Sequence, residues 1–303
     1  MGWFEANEAL VQLTLINMML AASLQVTLNA GMLSLAPVAA WGVGGFIAAN
    51  LAIDTQLALG PILLIVAVAV AAGAFLVALP ILRLRGLAFA MATLAVLLIV
   101  GSLSVTNREW TGGSLGLYGI PVLTTTGALV VGVVAVALVL ARIERREMGR
   151  RVEVLRLDEA AARTLGVAVD RIRLALFVLA ATIAGVSGAL SALAFNNFSS
   201  QNFGFDRAVT TLAMVVIGGT RSWLGAFLGA FLLTFSPYWF DQFDVWNKVA
   251  YGAMMIAVVG WFPDGLLGLL RSGIGRLRAA IDRGPGTGTG ATTAVAAGAE
   301  ARS

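Results

Sequence analysis

The sequence contains neither cysteine nor histidine. That excludes disulfides, thiolate nucleophiles, CxxC redox pairs, zinc sites built on thiolate or imidazole, and Ser-His-Asp triads. Lysine is nearly missing as well: Lys248 stands alone beside 19 arginines. A P-loop requires GxxxxGK[ST] and no such stretch surrounds Lys248, so the chain is not itself a P-loop ATPase. Charge of either sign is scarce, at 12% of 303 residues, against roughly 25% in soluble domains. In its place stand 59% hydrophobic residues, 35 glycines and a mean hydropathy of +0.91. A water-soluble fold of this composition would expose far too much apolar surface. The composition is that of an all-α polytopic membrane protein.

The net charge of +4 and the basic pI of 10.3 would suggest nucleic acid in a soluble protein. Here most arginines fall between or after apolar runs, where they set orientation in the bilayer. Lipid is the expected environment and no nucleic-acid partner is expected. Glu5 and Glu8 occupy the place where a signal peptide carries basic residues, so no cleavable signal is predicted.

A helix needs about 20 apolar residues to cross the hydrocarbon. Candidate spans are 8–28, 33–53, 57–79, 86–105, 122–141, 174–194, 208–219, 223–240 and 249–263. This gives about nine transmembrane helices, within a range of eight to ten. The short seventh run is read as a full crossing, with a re-entrant dip or one arm of a hairpin turning at GGTRSW (218–223) as the alternatives. Nine arginines in 142–173 and five from Arg271 onward place both segments in the cytoplasm by the positive-inside rule. Arg83 and Arg85 then also face inward and the acidic N-terminus outward. The expected organisation is a transmembrane domain over 1–270, with a cytoplasmic loop at 142–173, followed by a cytoplasmic tail over 271–303. From Gly284 the tail is Gly, Thr and Ala in low-complexity order and reads as largely disordered.

No acidic or basic residue falls inside the candidate spans beyond their first positions. Proton-coupled carriers and ion pumps usually carry an intramembrane ionisable group, and a membrane enzyme would need carboxylates or metal ligands at an interface. Neither constellation is present, so no catalytic or metal-ligating residues are assigned. Small residues recur at four-residue spacing in Ala40, Gly44 and Ala48, in Ala180, Ala184, Gly188 and Ala192, and in Gly225 and Gly229. Such faces predict tight helix packing. In the first span Thr14, Asn17, Ala21 and Gln25 share one face with Asn29 beside it. Amides are costly against lipid, so this face either holds helices together or lines a pathway.

The cytoplasmic loop reads LRLDEAAARTLGVAVDRIR over 155–173. Asp158 is placed to cap a short helix from Glu159 to Leu165, Gly166 to end it, and Asp170 to start the next rise. Glu159, Ala160 and Ala161, with Gly166 seven residues after the glutamate, resemble the EAA loop of bacterial ABC importer permeases. Further blocks resemble the LivM-type permease subunits of branched-chain amino-acid importers. They are LRLRGLAFAMATLAVLLIV (82–100), TGGSLGL (111–117), NFGFDRAVTTLAMVVIGGTRSWLGAFLGAFLLTFSPYWF (202–240) and WFPDGLLGLL (261–270). The chain departs from that pattern at Pro37 in LSLAP, at Leu115 in place of an aspartate, and at Arg221 in place of a glycine.

The resemblance implies an ABC importer permease fold in a bacterial cytoplasmic (inner) membrane, and transport of branched-chain amino acids or a related small polar solute. It implies no cofactor on this chain, ATP being used by separate P-loop ATPase subunits. It also implies a second permease subunit, a LivH-type paralogue, and an extracytoplasmic solute-binding protein that meets the outer loops 106–121, 195–207 and 241–248. Asp158, Glu159, Ala160, Ala161, Arg163 and Gly166 become the expected ATPase-coupling residues. Thr14, Asn17, Gln25 and Asn29 are the candidate pathway lining. The competing class is a stand-alone secondary carrier for a small neutral or zwitterionic solute.

Overall fold

The computed structural model describes residues 7–240 apart from 56, 146, 158, 165, 220 and 221, and gives the backbone alone at 147, 148, 157, 159–161 and 237–240. All of these lie in the unit Met1–Leu267. The expected ninth span (249–263) and the tail (271–303) lie outside the described residues. In hydrocarbon every peptide group must be satisfied within its own segment, which leaves helices as the building element here. They are α1 (Glu8–Asn29), α2 (Ala36–Asp54), α3 (Leu59–Ile81), α4 (Gly86–Thr106), the single turn α5 (Arg108–Thr111) and α6 (Thr126–Arg145). There follow α7 (Glu147–Leu157), α8 (Glu159–Thr164), α9 (Val169–Ala194), α10 (Phe205–Gly218) and α11 (Trp223–Phe240). A two-residue antiparallel pair, β1 (Leu117–Tyr118) with β2 (Asn197–Phe198), ties the loop after α5 to the loop after α9.

α1, α2 and α9 form the centre, and their most apolar stretches are 61–67% buried. Small residues set how closely they approach. A Cβ on Gly44 would collide with the backbone of Gly185, and one on Gly188 with the backbone of Trp41. The four-residue spacing in α2 and α9 thus brings the two backbones into contact, as predicted. α3, α4 and α6 form the outside and bury only 17–22% of the same kind of stretch. Their exposed Leu64, Leu76, Leu87, Met91 and Leu138 are what lipid requires.

The two ends of this bundle differ in charge. At one end Glu8 of α1 accepts a hydrogen bond from Thr126 at the start of α6, and Asn50 of α2 donates to the carbonyl of Trp110. At the other end a cavity of about 250 Å³ is bordered by Gly31, Leu82, Arg85, Phe89 and Arg173. Arg83, Arg85, Arg142 and the segment through Arg173 therefore gather at the end opposite Glu8 and Glu109, as the predicted alternation of the first six spans requires.

The count of nine spans is not reached among the described residues. Six helices are long and apolar enough to cross a membrane, or up to seven if α10 and α11 together make one span. α10 has 14 residues, about 21 Å at 1.5 Å per residue, short of a hydrocarbon core of about 30 Å. It meets α11 at a bend of 119°. Gly225 and Gly229 let the two helices touch: a Cβ on Gly225 would meet the Gly218 carbonyl and one on Gly229 the Met214 carbonyl. The run 208–219 is thus too short to cross alone, and with α11 it forms a bent pair that is either one broken span or a re-entrant loop.

Candidate functional site

Two places carry polar chemistry. The first is the arginine-rich end, where α7 and α8 lead into α9. Gly166 takes φ +74°, its N–H donates to the carbonyl of Arg163, and the N–H of Val167 donates to the carbonyl of Ala162. This pair of bonds is the Schellman closure that a glycine after the last turn allows, so the helix stop read from the sequence is present. Arg163 then bridges forward to Asp170 in the first turn of α9, Nη2 to Oδ1 at 2.9 Å. Ala162 is fully buried while Arg163 is exposed. The short helix is thereby clamped to α9, which packs in turn on α1, α2 and α3. Asp158 lies outside the described residues, and Glu159, Ala160 and Ala161 are described by backbone alone, within α8.

The second place is inside the bundle. Arg207, the third residue of α10, was assigned from sequence to an outer loop. In the structure its Nη2 donates to Asn17 Oδ1 at 2.9 Å, and its guanidinium carbon sits 4.8 Å from the centroid of the Trp41 ring. Asn17 passes the contact on by donating from Nδ2 to Thr234 Oγ1 of α11 at 3.0 Å. One amide thus links α1, α10 and α11 at a point about midway along α1. Arg207 lies one residue outside the candidate span 208–219, and the structure places it in α10 against Asn17 and Trp41 rather than in a loop. The signal that could have found Arg207 was the apolar Ala208 to Gly218 run beginning directly behind it.

The stretch before α10 explains how an arginine reaches that depth. Phe198 and Phe203 are 1% and 2% exposed, so 195–204 is no solvated outer loop throughout. Phe198 lies 5.1 Å from Trp41 and 5.0 Å from Phe46, centroid to centroid. Gly42 and Gly45 leave the room, since a Cβ on either would enter the rings of Phe203 and Phe198. The chain folds back so that Phe198 and Phe203 pack on α2 and Arg207 reaches Asn17 and Trp41, while Phe205 and Asp206 at the start of α10 stay exposed. Insertion scales put a charged residue at the bilayer centre at about 2.5–3.5 kcal/mol. A cation–π contact of about 0.5–2 kcal/mol and a charge-assisted hydrogen bond of about 1.5–3 kcal/mol are of the size needed to offset it.

The four candidate lining residues divide. Asn17 joins the Arg207 cluster. Thr14 is buried and donates to the carbonyl of Leu10 in its own helix, and Gln25 is fully buried and donates to Asn29 Oδ1 at 3.1 Å. The structure brings Gln25 and Asn29 together one turn apart but does not join them, or Thr14, to Asn17.

Comparison with known proteins matches residues 8–259 to the family described as branched-chain amino acid transport system / permease component. The chain is 32% identical, over 86% of its length and 69% of the relative's, to the high-affinity branched-chain amino acid transport system permease protein LivM of Escherichia coli K12. The Salmonella typhimurium protein of the same name is 33% identical over 66% of this chain, which spans 55% of that relative. The autoinducer 2 import system permease protein LsrC of Klebsiella pneumoniae is 31% identical over 62% of this chain and 60% of its own length. No solved structure matches. With five-sixths of its residues covered by the family model, a helical bundle coated in apolar side chains and an arginine-rich end, this chain is a multi-pass membrane protein that belongs to the branched-chain amino acid transport system permease family.

Proposed function

We propose that the chain is the transmembrane permease subunit of an ATP-driven ABC importer in a bacterial inner membrane, with branched-chain amino acids or a related small polar solute as cargo. Its partners in this reading are P-loop ATPase subunits, a second, LivH-type permease subunit and an extracytoplasmic solute-binding protein. The arginine-rich end and the C-terminus face the cytoplasm. The observation that carries the reading is the clamp at Gly166 and Arg163. A partner that pushes on α8 pushes on α9, and α9 touches the whole centre of the bundle. A rigid lever of this kind is what a permease without its own nucleotide site needs in order to rock between inward and outward openings. Glu159, with Asp158, Ala160 and Ala161, is the docking surface, and Arg163 and Gly166 hold it in register with α9.

The test is co-purification of the tagged chain from native membranes. Recovery of a P-loop ATPase and a second permease is the expected result. Glu159→Arg should lose the ATPase while the chain still inserts normally; association at the wild-type level would remove the loop from the coupling role. The half-buried Arg207, with its Nε shielded, favours a second reading, a stand-alone secondary carrier, because carriers place charged groups in the membrane interior. A guanidinium that stays charged at neutral pH cannot relay protons, so such a carrier would couple to another ion. Uptake that survives ATP depletion would select it.

A further inference from the structure

The groups around Arg207 have one property in common: those left without partners are donors. Arg207 Nε is buried and has no hydrogen-bond acceptor, and so is Trp41 Nε1, on the indole whose ring lies under the guanidinium. Trp41 as a whole is 1% exposed. The start of α10 adds to the set. Its N-cap is Gly204, with no side chain to accept from the first turn, which leaves the leading backbone N–H groups of a 14-residue helix uncapped and its positive dipole end at the same spot. The acceptor in place is Asn17 Oδ1, which takes one guanidinium donor. Arg207 makes no ion pair among the described residues, and the neighbouring carboxylate, Asp206, is exposed and not paired with it. A cluster rich in donors, cationic and short of acceptors is complementary to an anion with several lone pairs in one plane, and a guanidinium fork matches a carboxylate in geometry as well as charge. The dry aromatic packing of Phe46, Phe198 and Phe203 beside it strengthens that attraction by lowering the local dielectric.

We propose that Arg207, with the N-terminus of α10 and the Trp41 indole, forms a binding site for the carboxylate of the transported solute, about midway through the bundle. The proposal rests on the importer reading for the identity of the solute, and on the geometry alone for the carboxylate. A half-helix that begins inside the membrane and points its N-terminus at an anionic group is an arrangement transport proteins use. Asn17 then acts as a positioning residue, holding the guanidinium through one nitrogen and leaving its remaining donors for the ligand.

The experiment measures binding of tritiated L-leucine to the purified full-length chain in lipid nanodiscs, by scintillation proximity at constant chloride, with unlabelled L-leucine and L-leucinamide as competitors. The amide keeps the ammonium group and the branched side chain and lacks the carboxylate. The expected result is competition by leucinamide at least about tenfold weaker than by leucine. Arg207→Gln should weaken leucine binding by a similar factor and remove the discrimination between the two competitors, while Arg207→Lys keeps part of it. Equal competition by the amide, undiminished binding in Arg207→Gln, or no saturable leucine binding to the wild-type chain would overturn the site. Should Arg207→Gln fail to fold, the comparison of competitors on the wild-type chain, with Arg207→Lys, still decides. ATP-driven uptake by the chain with its co-purified partners is measured separately. Selective, Arg207-dependent binding without such uptake would leave the site standing and remove the importer reading, and uptake with no carboxylate discrimination would do the reverse.

Discussion

Asn17 and Thr14 sit one turn apart on α1, both polar and both buried, and the structure gives them different weights. Thr14 satisfies itself within its own helix by donating to Leu10. Asn17 holds Arg207 with its oxygen and Thr234 with its nitrogen. Asn17→Leu would leave a guanidinium donor and a hydroxyl without their amide partner, a loss of about 1–3 kcal/mol or more. Thr14→Ala removes only a local bond, and its effect should stay below about 1 kcal/mol. Thermal unfolding of the two variants in nanodiscs checks this, and a smaller loss for Asn17→Leu than for Thr14→Ala would contradict the assigned contacts. The periodicity of α1 placed both side chains on an inward face. It did not reveal which one had a long-range partner, because Arg207 lies 190 positions away.

Among the elements, the helix pairs divide by whether backbone meets backbone. Gly44→Val would force a side chain into Gly185 where α2 and α9 touch, while Gly73 in α3 has nothing within 4 Å of its would-be Cβ. Overpacking of a tight contact costs about 1–3 kcal/mol, and more where backbone must move. Gly44→Val should therefore reduce the yield of monodisperse protein and its unfolding temperature, and Gly73→Val should leave both near wild type. Similar losses in both would mean that α3 is also closely covered. At the other end, Gly166 has open space around it but φ +74°. Gly166→Val is thus strained by conformation alone, by about 1–2 kcal/mol. It should fray the end of α8 and weaken ATPase co-purification without blocking insertion, read by pull-down against Western-blot levels in the membrane. The extents of the six long helices were legible in the sequence because each is a nearly uninterrupted apolar run, and Gly166 was legible as a stop because few residues tolerate that backbone. The start of α10 was not legible: NFGFDR reads as polar, and only the packing of Phe203 on α2 and the reach of Arg207 to Asn17 show that part of it turns inward.

Among the described residues, the bundle has one end that carries Glu8 and Glu109 and an opposite, arginine-rich end. Since the chain has no cysteine, single introduced cysteines report on sidedness with no background. Leu115, 73% exposed near the Glu8 end, should label from outside intact cells as Leu115→Cys. Leu84, 42% exposed between Arg83 and Arg85, should label as Leu84→Cys only after permeabilisation. The opposite pattern would invert the orientation and put α8 out of reach of a cytoplasmic ATPase.

Membrane residence, the six long helices, the tight α2–α9 approach and the clustering of arginine at one end follow from composition and local pattern. Lipid demands long apolar helices, small residues permit close approach, and charge must sit in loops. Each of these is a property of a short stretch of chain. The broken pair α10–α11 and the inward contacts of Arg207 arise only in the folded molecule. They depend on glycines in α2 making room for rings from the loop after α9, and on an amide in α1 meeting a guanidinium from α10. A residue's desolvation is set by what packs around it, and for Arg207 the contacts, Asn17 and Trp41, come from two other helices, α1 and α2.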